Sequence, residues 1–316
     1  SSYTQEYNEY KGDLGKTVHG SSHPSLEMVT HMYQASLETR REQYDLIHIH
    51  SVDPCILAWL PKSRYGVMAT SHGQAYFRKK WGLVARTMSK LAEHFFIHVP
   101  KVKTSVSRPL ADYYSLKYSK NVEYIPNGIT PLAKPQADIL SKFGVKAGNF
   151  LFCAAGRMER TKGIHTLLEA YSKLNTGYPL LIAGGGIGSD KKYFDELQSN
   201  APENVCFLGF LSGDPFLALY AHARIFVFPS EYEAMSMSLL EGMSFGTPTV
   251  YSDIPENKAV ADGLGFPFVV SDSDSLSQVM LYVLDHYEVG KETGVKAKKY
   301  IDENHNWLHI AEKYSS

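Results

Sequence analysis

Apolar residues along this chain fall into two rhythms. Short apolar runs, DLIHIH (45–50), GVMATS (66–71), VKTSV (102–106) and VEYI (122–125), read as strands, and the segments between them carry the spacing of amphipathic helices. Strands that alternate with helices predict a parallel sheet covered on both faces. After a stretch with Pro131, Pro135 and Gly144 that reads as a connector and a short helix, the alternation resumes. Its strands are LFCAAG (151–156), PLLIAGG (179–185), NVCFLG (204–209), RIFVFPS (224–230), TPTVYS (247–252) and PFVV (267–270), before long helical patterns that end in NWLHIAEKY. The prediction is an α/β chain of two doubly wound, Rossmann-like domains, residues 1–133 and 134–303, with 304–316 a helix packing back towards the first domain. Two such sheets leave a cleft between them, where ligands of this architecture bind. The first domain reads as incomplete, with fewer strands than the second and no Gly-rich turn near its start.

Composition narrows the class. The 316 residues are 44% hydrophobic with a formal net charge of -1, which excludes a global field tuned for nucleic acid. Bases concentrate locally: between Ser71 and Arg108 every charged residue except Glu93 is basic. There a helix from about Trp81 carries an apolar stripe of Trp81, Val84, Met88, Leu91 and Phe95, with Lys79, Arg86 and Lys90 opposite. That basic side is either a solvated face or a contact for an anionic membrane surface. Cys55, Cys153 and Cys206 lie far apart in apolar runs, as buried free thiols of a reducing compartment do. No apolar run reaches the length of a membrane span, and the polar opening SSYTQEYNEYKGD is no signal peptide, so the expected location is the cytoplasm.

Candidate chemistry gathers at strand ends. GRMERTKG (156–163) joins the first strand of the second series to the helix IHTLLEAYSKL, so Arg157 and Lys162 stand beside a helix N-terminus that favours an anion such as a diphosphate. The alternative is a solvated loop with two ordinary bases. SEYEAMSMSLLEGMSFGTPTV (230–250) reads as a loop, a helix from about Ser236 to Phe245, and a turn. On that helix Met237, Glu241 and Phe245 share a face, which puts a carboxylate inside an apolar stripe; it either pairs with a buried base or serves a ligand. Glu233 stands just ahead of the helix, placed to accept sugar hydroxyls. His72, in TSHG, ends a strand, as ligand contact or as a histidine satisfied by backbone. His48 reads as structural and His50 as cleft-facing; HxHxxD lacks a third metal ligand of known spacing. SDSDS (271–275) reads as an N-cap cluster, and GGGIGSD (184–190) follows the wrong strand for a dinucleotide loop.

Taken together, GRMERTKG, LIAGGG, FLGF, and Glu233 with Glu241 spaced E-x₇-E before GMSFGTPTV resemble the donor domain of retaining glycosyltransferases of family 4, which have the GT-B fold. The resemblance extends to YDLIHIH, TSHG, IPNGI, SDIPEN (252–257) and the closing Trp-containing helix, nearly the whole chain from about Tyr44. It implies transfer of a sugar from a nucleotide-diphosphate sugar to an acceptor hydroxyl with retention of configuration, in surface polysaccharide or glycolipid synthesis. No metal or other cofactor is implied. By the resemblance, Arg157 and Lys162 grip the diphosphate, Glu233 orients the sugar with the loop Ala234, Met235 and Ser236, Glu241 binds the ribose, and His72 contacts the sugar near the reacting carbon. Partners would be a glycan or lipid-linked acceptor at the inner membrane face, without nucleic acid. Against the family the chain begins roughly 60 residues in, so a partner chain or dimer would complete the first domain. The rival reading is a non-catalytic or half-enzyme nucleotide-sugar-binding protein, and a third is an epimerase of the same architecture. Glu-Ala-Met-Ser replaces the family's frequent Glu-Gly-Phe-Gly, which costs the loop backbone freedom.

Overall fold

The computed structural model describes residues 9–10, 13–18, 20–21, 27–74 and 83–315. They form two compact units, Ser1–Val106 with Leu110–Tyr124, and Ser107–Pro109 with Ile125–Ser316.

In the first unit β1 (Glu9–Tyr10) and β2 (Asp13–Leu14) pair antiparallel, and α1 (Glu27–Glu38) follows. The main sheet contains β3 (Ile47–His50), β4 (Val67–Ser71), β5 (Val102–Ser105) and β6 (Glu123–Tyr124), all parallel, in the order β3-β4-β5-β6. Helices α2 (Leu83–His98) and α3 (Arg108–Tyr118) make the crossovers, and the core gathers Ala69, Ala92, Phe96, Ile97, Ala111 and Tyr114.

The second unit carries six parallel strands. In chain order they alternate with helices: β7 (Leu151–Arg157), α4 (Ile164–Lys173), β8 (Leu180–Gly185), α5 (Lys191–Ser199), β9 (Val205–Gly209), α6 (Gly213–His222), β10 (Ile225–Phe228), α7 (Met237–Ser244), β11 (Thr249–Ser252), α8 (Pro255–Ala261) and β12 (Phe266–Phe268). Helices α9 (Ser273–Asp285), α10 (Tyr287–Asn304) and α11 (Trp307–Ser315) close the chain. The order β12-β11-β10-β7-β8-β9 runs outward in both directions from the β7/β10 pair. That pair is the topological switch point, outside whose carboxyl ends a doubly wound sheet holds its ligands. Alternation along β7 explains the two cores: Phe152 and Ala154 pack into one, Leu151, Cys153 and Ala155 into the other.

Every strand read from the sequence is present. Two other expectations are corrected. Cys206 is exposed, unlike Cys55 and Cys153. On α2 the buried positions are Ser89, Ala92, Glu93, Phe96 and Ile97, while Phe95 is partly buried and Met88 and Leu91 are 45% and 46% exposed, so these two members of the stripe face outward. Trp81, Lys79 and the side chain of Val84 lie outside the described residues. SDSDS does cap: the Asp272 carboxylate accepts from the backbone N–H of Asp274 and Ser275.

Candidate active site

At the switch point two loops are laced together. β7 ends at Arg157, a 3₁₀ turn spans Arg160–Lys162, and Gly163 (φ 66°) turns the chain into α4. A Cβ at Gly163 would collide with the Pro229 carbonyl oxygen, so close approach and left-handed backbone both require glycine. From the other side, the Glu231 N–H donates to the Thr161 carbonyl at 2.7 Å, and Ser230 Oγ lies 3.3 Å from the same oxygen. These backbone contacts bring Lys162 Nζ to 2.5 Å from Glu233 Oε1, an oxygen that also accepts from Ser230 Oγ at 2.7 Å. The two charged side chains are 24% and 12% exposed, so the pair is largely desolvated yet reachable.

Behind this pair lies a buried polar relay. Ser252 Oγ, at the end of β11, donates to the Ser230 carbonyl; Asn257 Nδ2 donates to Ser252 O at 3.1 Å and Oγ at 2.9 Å. The SDIPEN segment therefore braces the start of the loop that carries Glu233. Glu256 adds another carboxyl, pushed up by burial, with its own backbone N–H acting the other way and Glu233 nearby adding to the rise. From the IPNGI segment, Asn127 donates its backbone N–H to Met235 Sδ, and its carbonyl oxygen lies 3.0 Å from His305 Nδ1.

Ser236 is the N-cap of α7, accepting from the Leu239 N–H at 3.4 Å. Its φ is −84°, and the described non-glycine residues with positive φ are Ser51, Ser119 and Ser271. The Glu-Ala-Met-Ser loop thus keeps a backbone that ordinary residues adopt, and the missing glycines cost it no strain. On α7 the buried face is Leu239, Leu240 and Met243; Met237 is 38% exposed and Glu241 half-buried. Among the described residues no base forms an ion pair with Glu241, which removes the buried-pair explanation of that carboxylate. Burial raises its pKa, and the Tyr220 hydroxyl beside it acts in the opposite direction without reaching full hydrogen-bond geometry. Arg157 is exposed at the strand end.

Of the expected site residues, the second unit brings together Lys162, Glu233, Ala234, Met235 and Ser236, and carries Arg157 and Glu241 on flanking elements. His72 belongs to the first unit, after β4. Its Nε2 lies 3.0 Å from His50 Nδ1, while His48 Nε2 lies 2.6 Å from Thr70 Oγ1. Burial lowers the pKa of all three histidines, His48 to about 4. No group of three or more His, Cys, Asp or Glu side chains among the described residues is placed to hold a metal ion. Sequence reasoning passed over Ser230, Ser252 and Asn257, single polar residues at strand and helix ends that carry no periodic signal. It also passed over Phe210, which is 57% exposed after β9 with its ring against Gly185.

Two parallel-sheet, Rossmann-like units define the GT-B architecture, and known structures agree. HepE of Anabaena, solved with UDP and glucose, is similar at a TM-score of 0.79 and 17% identity, over 90% of this chain and 80% of that one. Sucrose-phosphate synthase of Thermosynechococcus elongatus is similar at 0.76 and 20%, over 92% and 76%. Residues 136–300 match the family described as glycosyl transferases group 1, and residues 4–131 match glycosyltransferase family 4. The chain belongs to the glycosyl transferases group 1 family. An uncharacterized glycosyltransferase of Methanocaldococcus jannaschii is 26% identical over 72% of this chain. The alpha-galactosylglucosyldiacylglycerol synthase of Streptococcus pneumoniae is 26% identical over 69%. The chain spans 60% and 63% of the lengths of these two relatives.

Proposed function

We propose that this protein transfers a sugar from a nucleotide-diphosphate sugar to an acceptor hydroxyl with retention of configuration. The Lys162–Glu233 pair at the switch point, 2.5 Å long and laced into two loops, carries the reading. A diphosphate would draw Lys162 away from Glu233, join Arg157 and the first amides of α7, and have its growing negative charge stabilised as it departs. The released Glu233 would then accept hydrogen bonds from the sugar hydroxyls. Glu241, with no cationic partner among the described residues, would accept from the ribose diol, and the exposed face of Phe210 offers a platform for the base. His72 would contact the sugar. Charge on the diphosphate is met by Arg157 and Lys162, so the reading needs no metal.

For the acceptor we infer a lipid-linked or glycan hydroxyl at the inner membrane face. The support is that relatives are named for such chemistry, including the S. pneumoniae diacylglycerol glycolipid synthase and a diphosphoundecaprenol galactosyltransferase of Escherichia coli, 26% identical over 78% of this chain. A second reading, a nucleotide-sugar-binding half-enzyme that needs a partner chain, draws on β3, which pairs on one side only among the described residues. Release of labelled sugar from a nucleotide sugar separates the two.

Melting curves with UDP-, GDP-, dTDP- and ADP-sugars identify the donor, since a site ligand raises the midpoint by mass action. Each of Arg157→Ala and Lys162→Ala is expected to cost about 1.5–3 kcal/mol of nucleotide diphosphate affinity, roughly ten- to a hundredfold. Unchanged affinity in calorimetry for both variants would remove the phosphate assignment.

A further inference from the structure

The end of the first sheet holds a histidine pair whose geometry is over-determined. In the β3/β4 register His50 stands opposite Thr70, and His72 follows the last residue of β4. Immediately after each histidine the chain turns through left-handed backbone, at Ser51 (φ 83°) and Gly73 (φ 124°). For Ser51 that conformation is costly, and it is held by the bond from its N–H to the Thr70 carbonyl at 2.8 Å. The His48 ring, fixed by Thr70 Oγ1 and through it by Thr104 Oγ1 at 2.6 Å, packs against His50 with centroids 4.1 Å apart. These contacts leave His50 Nδ1 aimed at His72 Nε2, 3.0 Å away.

Two neutral imidazoles share such a bond only if one brings the proton and the other the lone pair. Whichever ring donates, His72 is left one free nitrogen, Nδ1, of fixed direction, bare when Nε2 donates and protonated when Nε2 accepts. Burial favours the neutral form of both rings, and for His72 the neighbouring His50 adds to it, while a doubly protonated pair would set N–H against N–H.

We propose that His50 is a positioning residue for His72: through its Nδ1 it fixes the ring orientation and tautomer in which His72 presents Nδ1 to the sugar of the donor. The inference rests on the reading of His72 as a sugar contact, but it is tested apart from turnover. Histidine-ring ¹⁵N spectra of the full chain at neutral pH report each nitrogen as protonated or bare, with His72→Gln supplying the assignment. In the unsubstituted protein His72 is expected to show one protonated and one bare nitrogen, with Nε2 coupled to a His50 nitrogen across the hydrogen bond. His50→Leu is expected to abolish the coupling and leave His72 with averaged tautomer shifts. His50→Asn, whose amide reaches the place of Nδ1, is expected to restore a single tautomer, which a general packing defect would not. Identical His72 shifts in the unsubstituted protein and His50→Leu overturn the positioning role. Nucleotide-sugar hydrolysis that survives His72→Gln unchanged overturns instead the sugar contact on which the role depends.

Discussion

Glu233 illustrates how one carboxylate can be held for a ligand without being left costly. Largely desolvated, it is satisfied by Lys162 and Ser230, and both donors can be exchanged for ligand groups. Glu233→Gln keeps the shape, loses the charged acceptor and frees Lys162. The expected outcome is a fall in sugar transfer with UDP affinity unchanged or tighter; an equal fall in both would move Glu233 off the sugar. His48 supplies a different test at this scale. Burial first, then His50 and His72, hold its pKa near 4 against an ordinary 6.5. A histidine kept neutral by folding lends stability that is complete above about pH 6.5 and lost as pH falls towards 4. The loss is at most about 3 kcal/mol, and less after solvent screening. Urea unfolding at pH 4.5 and 7.5 should show His48→Gln narrowing that difference, and no change would remove His48 as its source. Lys162 and Glu233 were legible in the sequence because each sits in a motif of characteristic spacing. Ser252 and Asn257 were not, because a lone polar residue at a strand end gains meaning only from its neighbour across the sheet.

At the scale of elements, strands read well and one helix read badly. Continuous apolar runs bounded by turn residues fix a buried parallel strand almost alone. For α2 the apolar count pointed to Met88, Leu91 and Phe95, but a buried carboxylate decides how the helix lies. Glu93, 1% exposed, accepts from Lys117 Nζ at 2.8 Å, Tyr118 OH at 2.6 Å and Gln74 Nε2 at 3.2 Å. Three donors from outside the helix outweigh a few apolar contacts, because a carboxylate turned inward without them would cost several kcal/mol. The consequence is that Met88 and Leu91 are exposed, as is Lys90. No helix among the described residues is long and apolar enough to cross a membrane. Peripheral binding through these residues would combine apolar insertion with about 1 kcal/mol per base near an anionic surface. Flotation with anionic vesicles at low salt should carry the protein upward, and Met88→Ser with Leu91→Ser should weaken it; equal recovery with neutral vesicles argues against the contact.

For the whole molecule, the two units differ in how completely their sheets are enclosed. In the second, six strands bury side chains on both faces, and β7 and β10, which carry the candidate loops, lie at the centre. The site thus rests on the most protected strands of that unit, which suits a charge pair that must keep its place before a ligand arrives. In the first, four strands surround a smaller core, and β3 has a neighbour on one side only among the described residues, with Leu46 49% exposed just before it. An edge strand opens more readily than a central one, and its unpaired groups invite strand addition. Hydrogen exchange of the isolated chain is expected to give low protection to the backbone of 45–125 and high protection to 150–270. That contrast should shrink if a second chain pairs along β3, and dilution should then restore it. Equal protection of both spans in a proven monomer would mean that β3 is stable as it stands, and the half-enzyme reading would lose its support.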